Sequence, residues 1–169
     1  MNNLTQPLRD EHKELLPHLE KIREAGDLVG EVAPPVLRER VGEVHEFLVH
    51  HLIPHARAEE KALYPAVANV MRCAEATATM SRDHVEVGRL TEELQSLHLQ
   101  LSNKPISRVL ERDLRRVLYG LYTLIRVHFA KEEEVYLPLL DKNLTLEDAH
   151  RMFDAMEQAA NEAKHQLAH

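Results

Sequence analysis

The sequence of 169 residues predicts an all-α protein, an up-down-up-down four-helix bundle with an additional C-terminal helix. Three observations predict it. Apolar residues recur at alternating steps of three and four along four long segments, the period of one helix face. Only five glycines occur, while Leu, Ala, Glu and Arg abound, and these residues favour helix. No segment shows the sustained period-two alternation of a half-buried strand.

The first helix is expected over about Gln6 to Asp27, with Thr5 as N-cap and Pro7 at an early position. Its buried line is Leu8, His12, Leu15, Leu19 and Ile22, and Gly26 and Gly30 mark its exit. Pro34 and Pro35 open the second, which runs to about Tyr64 along Leu37, Val41, Val44, Leu48, Leu52, His55 and Glu59. Pro54 predicts a kink just before His55, and Pro65 ends the helix, with a short turn through Met71. The third spans about Ala74 to Leu101 along Met80, His84, Val87, Thr91, Leu94, His98 and Leu101. Ser102-Asn103-Lys104-Pro105 is a turn. The fourth spans about Ser107 to Leu140 along Leu110, Leu114, Val117, Leu121, Leu124, His128, Glu132, Val135 and Leu139. Thr145 with Asp148 forms a capping box of the weaker type before a fifth helix, about Leu146 to Leu167. Short connections make the four long helices antiparallel neighbours. The bundle is expected over residues 5–140, flanked by the fifth helix, all in one domain of residues 1–169.

Composition narrows the function. Lys+Arg is 21 against Asp+Glu 28, a net charge of −7, which argues against nucleic-acid binding through a basic face. Cys73 is the one cysteine, so no disulfide framework or CxxC motif exists, and it reads as a small buried hydrophobe. The N-terminus lacks a basic segment followed by an apolar core, and no stretch is long and apolar enough to span a membrane, so the expected location is the cytoplasm. Histidine is the abnormal count, at 12.

The functional signal is polar residues on apolar lines. His12, His55, Glu59, His84, His128 and Glu132 all fall on core-facing stripes. Burying six such groups is costly unless something satisfies them, and a metal takes both neutral imidazole and carboxylate. In an antiparallel bundle the heights agree: His55 and Glu59 lie ten and six residues before Pro65, as His128 and Glu132 do before Pro138. His12 and His84 sit near the starts of their helices, so all six fall within about two turns of one level at ~1.5 Å per residue. His55, Glu59, Glu60 and Pro65 recur as His128, Glu132, Glu133 and Pro138, offset by 73, and Asp10-Glu11-His12 is answered by Asp83-His84. Each half of this duplicated hairpin supplies one His and one His-x-x-x-Glu. Two metals related by a pseudo-twofold follow, with Glu59 and Glu132 able to bridge them. His-x-x-x-Glu alone carries little weight, since roughly one or two matches arise by chance; the repeat, the shared proline and the matched heights carry the argument.

On DEH at 10–12, HARAEEKALYP at 55–65, RDH at 82–84 and HFAKEEEVYLP at 128–138, the sequence resembles hemerythrin-like proteins, the HHE cation-binding family, over about residues 5 to 140. The resemblance implies a four-helix bundle with two non-haem iron ions, oxo- or hydroxo-bridged, two bridging carboxylates, and an open site for a small ligand: O2, peroxide or nitric oxide. Carried over, the metal ligands are His12, His55, Glu59, His84, His128 and Glu132. One departure matters: oxygen carriers place two histidines a turn apart on the third helix, whereas here Met80 and Gly88 flank His84. One metal therefore keeps an extra open position, which favours redox turnover, such as peroxide decomposition, or sensing over simple oxygen carriage. Gly88 reads either as room for a ligand or as close helix packing.

The +4 glutamates share the histidine stripe and are taken as the bridges; Glu60 and Glu133, a further ~100° around, are solvated or hydrogen-bonded behind the ligands. Tyr136 reads as packing, with a bond to a bridging carboxylate as the alternative. His51 reads as exposed, with a ligand role as its alternative; His45 and His98 read as hydrogen-bonded core-edge residues; His18, His50, His150, His165 and His169 as solvated. Leu52, Leu121 and Ile125 are expected to keep the ligand pocket dry. Competing readings are an iron- or oxygen-sensing or iron-handling regulatory module acting through a protein partner, a metal-free interaction bundle, and a zinc site, which four ligands would satisfy. A ferritin-like oxidase is disfavoured because Glu147/His150 and Glu162/His165 lie ~22 Å apart on one helix.

Overall fold

The computed structural model describes residues 3–102 and 105–167, and among them every regular element is helical. Five rods result. α1 is Gln6–Leu28. α2 covers residues 34–71 without a break, α3 is Ala78–Gln100, α4 covers residues 108–143, and α5 is Leu146–Leu167. α1 packs on α2 and α4, and α3 packs on the same two, which closes the four-helix ring expected of the bundle. α5 lies along residues 53–63 of α2. Thr145 and Asp148 make the capping box: the Asp148 amide donates to the Thr145 hydroxyl at 3.1 Å. None of these helices is long and apolar enough to cross a membrane.

The apolar lines pack as two clusters. One comprises Leu15, Leu19, Ile22, Val41, Leu94, Leu114 and their neighbours. The other comprises Leu8, Leu63, Tyr64, Val67, Met80, Leu137 and Leu140, and takes Met152, Met156 and Ala159 from α5. α5 is thus part of a core. His12, His55, Glu59, His128 and Glu132 are also buried.

α2 and α4 contain three wide π-turns, Leu48–Leu52, Glu59–Leu63 and Glu132–Tyr136. Each closes on a five-residue bond, from the amide of Ile53 to Leu48, of Tyr64 to Glu59, and of Leu137 to Glu132. The next residue each time is a proline: Pro54, Pro65 or Pro138. Proline lacks an N–H and its ring collides with the carbonyl four residues back. Widening the preceding turn moves that carbonyl aside, so the helix absorbs the proline without ending. The expected stop at Pro65 is therefore corrected, since α2 continues to Met71. The inserted residue also rephases the stripe of α4. After Glu132 the buried positions are Leu137 and Leu140, while Val135, expected inside, is 56% exposed.

Other boundaries shift for local reasons. Residues 74–77 form turns, so α3 begins at Ala78 and not at Ala74. Gly26 lies within α1, where an added Cβ would meet the Tyr119 ring at 2.8 Å, and Gly30, at φ +80°, makes the turn. Cys73 is exposed, which corrects its expected burial. Part of the expected turn, Asn103-Lys104, lies outside the described residues, as does His169.

α2 ends with Arg72 in the left-handed region, φ 51° and ψ 39°, and the Cys73 amide donates to the Ala68 carbonyl at 3.1 Å. This is the Schellman arrangement, whose left-handed position favours glycine. Arg72→Gly is expected to stabilise the protein by about 1 kcal/mol, because the left-handed penalty on a side-chain-bearing residue is relieved. Denaturant midpoints of the two proteins check it.

Candidate metal centre

The structure brings all six sequence-predicted residues to one level. α1 delivers His12, α2 delivers His55 and Glu59 across a helical turn, α3 delivers His84, and α4 delivers His128 and Glu132. Glu59 and Glu132 have no exposed surface, and each stands at the head of a π-turn.

Each imidazole is held from behind by a carboxylate at Nδ1. His12 Nδ1 donates to Glu133 at 2.9 Å, His84 Nδ1 to Glu60 at 2.8 Å, and His128 Nδ1 to Asp83 at 3.0 Å. His55 Nδ1 lies 3.0 Å from Glu11, an ion-pair contact without hydrogen-bond alignment. The duplication maps one half onto the other: His12–Glu133 corresponds to His84–Glu60, and His55–Glu11 to His128–Asp83. Such partners fix the tautomer with the proton on Nδ1 and leave the Nε2 lone pair free.

All four Nε2 atoms face the two buried glutamates. His12 and His55 lie 3.7 and 2.9 Å from Glu59 Oε1, and His12 also lies 3.4 Å from Glu132 Oε2. His84 and His128 lie 3.2 and 3.9 Å from Glu59 Oε2, and His128 lies 3.4 Å from Glu132 Oε1. Each glutamate thus offers one oxygen to the His12/His55 side and the other to the His84/His128 side. His84 Nε2 and His128 Nε2 stand 3.0 Å apart. Buried atoms without a hydrogen-bond partner include His12 Nε2, His55 Nε2, both oxygens of Glu59 and Glu132 Oε2. Lone pairs converging without donors suit a cation's coordination shell, and this donor set fits a metal ion. Two overlapping groups, His12/His55/Glu59 and Glu59/His84/His128, have ligand atoms close enough to hold one.

Charge in the metal-free state follows from the same geometry. Burial alone would lower His128, but bonds to Glu132 and Glu59 and their charges push it up to about 10. Burial opposes ionisation of Glu59 too, yet the charge of His55 and bonds from His12 and His128 hold it well below the usual range. Burial and the Glu59 charge raise Glu132. His128, raised from 6.5, contributes stability that is fully present below pH 6.5 and is lost as pH rises toward 10. Glu59, depressed from 4.5, contributes stability that is present above pH 4.5 and is lost as pH falls. Metal-free protein is therefore expected to lose a few kcal/mol, on the order of 2–4, between pH 6 and 10. Cation binding is expected to strengthen over the same range, because ligands must shed protons. Urea midpoints and metal affinities across that range check both signs.

Two contributors were missed from sequence. The Tyr64 hydroxyl donates to Glu132 Oε1 at 3.0 Å and stands 3.2 and 3.4 Å from Nε2 of His128 and His84. Burial and the charges of Glu59 and Glu132 keep it protonated, far above the usual phenol range. Phe129 stacks on His12 with ring centroids 4.2 Å apart. Tyr136 donates to the Ala76 carbonyl instead of a carboxylate. His51 is exposed and lies parallel to the Phe47 ring, and His98 Nε2 bonds the Arg38 carbonyl.

A cavity of about 20 Å³ sits over the cluster, walled by Leu52, Val87, Ile125 and Phe129 above Glu59, His84 and His128. It has room for one or two heavy atoms. Leu121, expected here, is buried in the larger apolar cluster and does not line it. An added Cβ at Gly88 would meet no heavy atom within 4 Å, so close packing does not explain that glycine.

Helical bundle and inward-facing His/carboxylate cluster together make a four-helix protein whose duplicated donor set could hold a metal. Residues 3–140 match the hemerythrin HHE cation-binding domain, and the chain belongs to that family. No curated protein and no solved structure matches it.

Proposed function

We propose that the protein is a non-haem di-iron protein that binds or reacts with O2, peroxide or nitric oxide, peroxide decomposition included. The observation that carries this reading is the set of inward donor atoms: four Nε2 atoms converge on two buried carboxylates, and His12 Nε2, His55 Nε2, both Glu59 oxygens and Glu132 Oε2 have no hydrogen-bond partner. His12 and His55 would hold one ion, His84 and His128 the other, and Glu59 and Glu132 would bridge. Four imidazole nitrogens and two bridging carboxylates suit a pair of redox metals better than a single four-coordinate zinc.

Iron, when bound, supplies paired redox-active centres beside the cavity. The chain's own residues do the rest. Leu52, Val87, Ile125 and Phe129 exclude bulk water and restrict access to ligands of a few atoms. Four outer carboxylates lock the imidazole rings and raise their basicity. Tyr64 holds a proton at the edge of the His84/His128 side, positioned to donate to a ligand's oxygen.

Spectroscopy on the iron-loaded protein tests it. Azide, nitric oxide and peroxide are each expected to alter the visible absorption, and peroxide to be consumed in excess of the iron present. An iron-loaded spectrum indifferent to all three, with no peroxide consumed, would restrict the protein to iron handling.

A further inference from the structure

The four outer carboxylates are not equivalent. Glu133 has a second partner in Arg9 at 3.5 Å, Asp83 in Lys131, and Glu60 in the Ser81 hydroxyl at 2.8 Å. Glu11 contacts His55 alone among the described residues, and its side chain is 49% exposed. The cause is in the repeat. At the offset of 73, Lys131 is answered by Ala58. Where Lys131 caps Asp83, Ala58 leaves Glu11 uncapped and makes room for α5, whose Met152, Met156 and Ala159 join the cluster that buries it.

A groove of about 600 Å³ opens here between α1, α2 and α5, with Glu11 and His55 on its lining. Glu14 and Glu157 lie on opposite walls, with His51 and His150, and Lys164 is its one ammonium group. His55 is 4% exposed, and neither ring nitrogen has a hydrogen-bond partner. A buried, unpartnered imidazole therefore borders an acidic groove through a carboxylate that nothing else restrains. On the opposite half the corresponding Asp83 is 17% exposed and neutralised by Lys131.

We propose that this groove is the inlet through which divalent cations reach the buried cluster. Glu14 and Glu157 gather the cation, and Glu11 turns outward to receive it and back to deliver it to His55. The inlet rests on the metal-site reading above. Its outer wall is α5, which lies outside residues 3–140 that match the family. Acidic clefts with low-dielectric walls focus the field and raise cation on-rates at least tenfold.

The test is stopped-flow uptake of Co2+ by the full-length metal-free protein, followed by ligand-field absorption. Glu14→Gln with Glu157→Gln is expected to slow uptake about tenfold at low ionic strength and to weaken its salt dependence, leaving final stoichiometry and spectrum unchanged. Glu24→Gln with Glu43→Gln removes the same charge from the groove between α1 and the first half of α2, and is expected to leave the rate near wild type. An unchanged rate in the first pair, equal slowing in both pairs, or faster release without slower uptake would overturn the inlet while leaving the metal site standing. Wild-type protein that takes up no Co2+ would instead overturn the metal-site reading, and the inlet with it.

Discussion

Glu59→Ala is expected to abolish two-metal binding and to destabilise the metal-free protein by about 3–5 kcal/mol. Glu59 is fully buried, and its two oxygens serve opposite sides of the cluster, 2.9 Å from His55 Nε2 and 3.2 Å from His84 Nε2. Without a metal it is the counter-charge that keeps His55 well above the usual imidazole range despite its burial. Removing it strands a buried cation, the costly half of a broken ion pair. Removing it also leaves the two sides of the cluster joined by Glu132 alone. Glu60→Gln provides the contrast: it sits behind His84 with its side chain 39% exposed, and its loss is expected to cost 10- to 100-fold in affinity while two ions still bind. Metal analysis and denaturant unfolding of both variants decide the matter. A Glu59→Ala protein that retains two ions per chain would remove the bridge from Glu59.

Chelation is expected to produce the second large effect. A ligand held at a hundred times its dissociation constant stabilises the folded state by about 2.7 kcal/mol, so two sites give about 5 kcal/mol. For a chain of this size that corresponds to a fall in Tm of about 10 °C or more on metal removal. The helices should persist at 25 °C, because both apolar clusters are built from residues other than the six proposed ligands. Thermal unfolding by circular dichroism, with and without chelator, measures the shift. An identical Tm in both states would mean that the folded chain binds no metal tightly.

The fold was legible because its determinants are local and periodic. The lines through Leu8, Leu15, Leu19 and Ile22 and through Leu37, Val41, Val44, Leu48 and Leu52 are buried as their spacing requires. The convergence of His12, His55, Glu59, His84, His128 and Glu132 was legible too, since the repeat and the prolines place them at one height. What escaped depends on departures from the 3.6-residue period. The π-turns at Glu59–Leu63 and Glu132–Tyr136 shift the helix phase, so extrapolating the stripe put Val135 inside where Leu137 belongs. The same phase shift brings Tyr64, five residues beyond Glu59, under the cluster, while Tyr136 packs against the second apolar cluster, as expected from sequence. Glu60 and Glu133 could be read only as solvated or as hydrogen-bonded behind the ligands. Which imidazole each holds depends on inter-helix geometry that one helix's periodicity does not contain. Cys73 was misjudged because its burial is set by the turn after Arg72, not by a helix face.

Metal content tests the central claim most directly. Protein produced in iron-supplemented medium should carry two irons per chain and, when oxidised, the near-ultraviolet charge-transfer absorption of a bridged diferric pair. Protein that binds no iron under these conditions, or a single zinc per chain, would contradict the account of the six converging residues as a di-iron site.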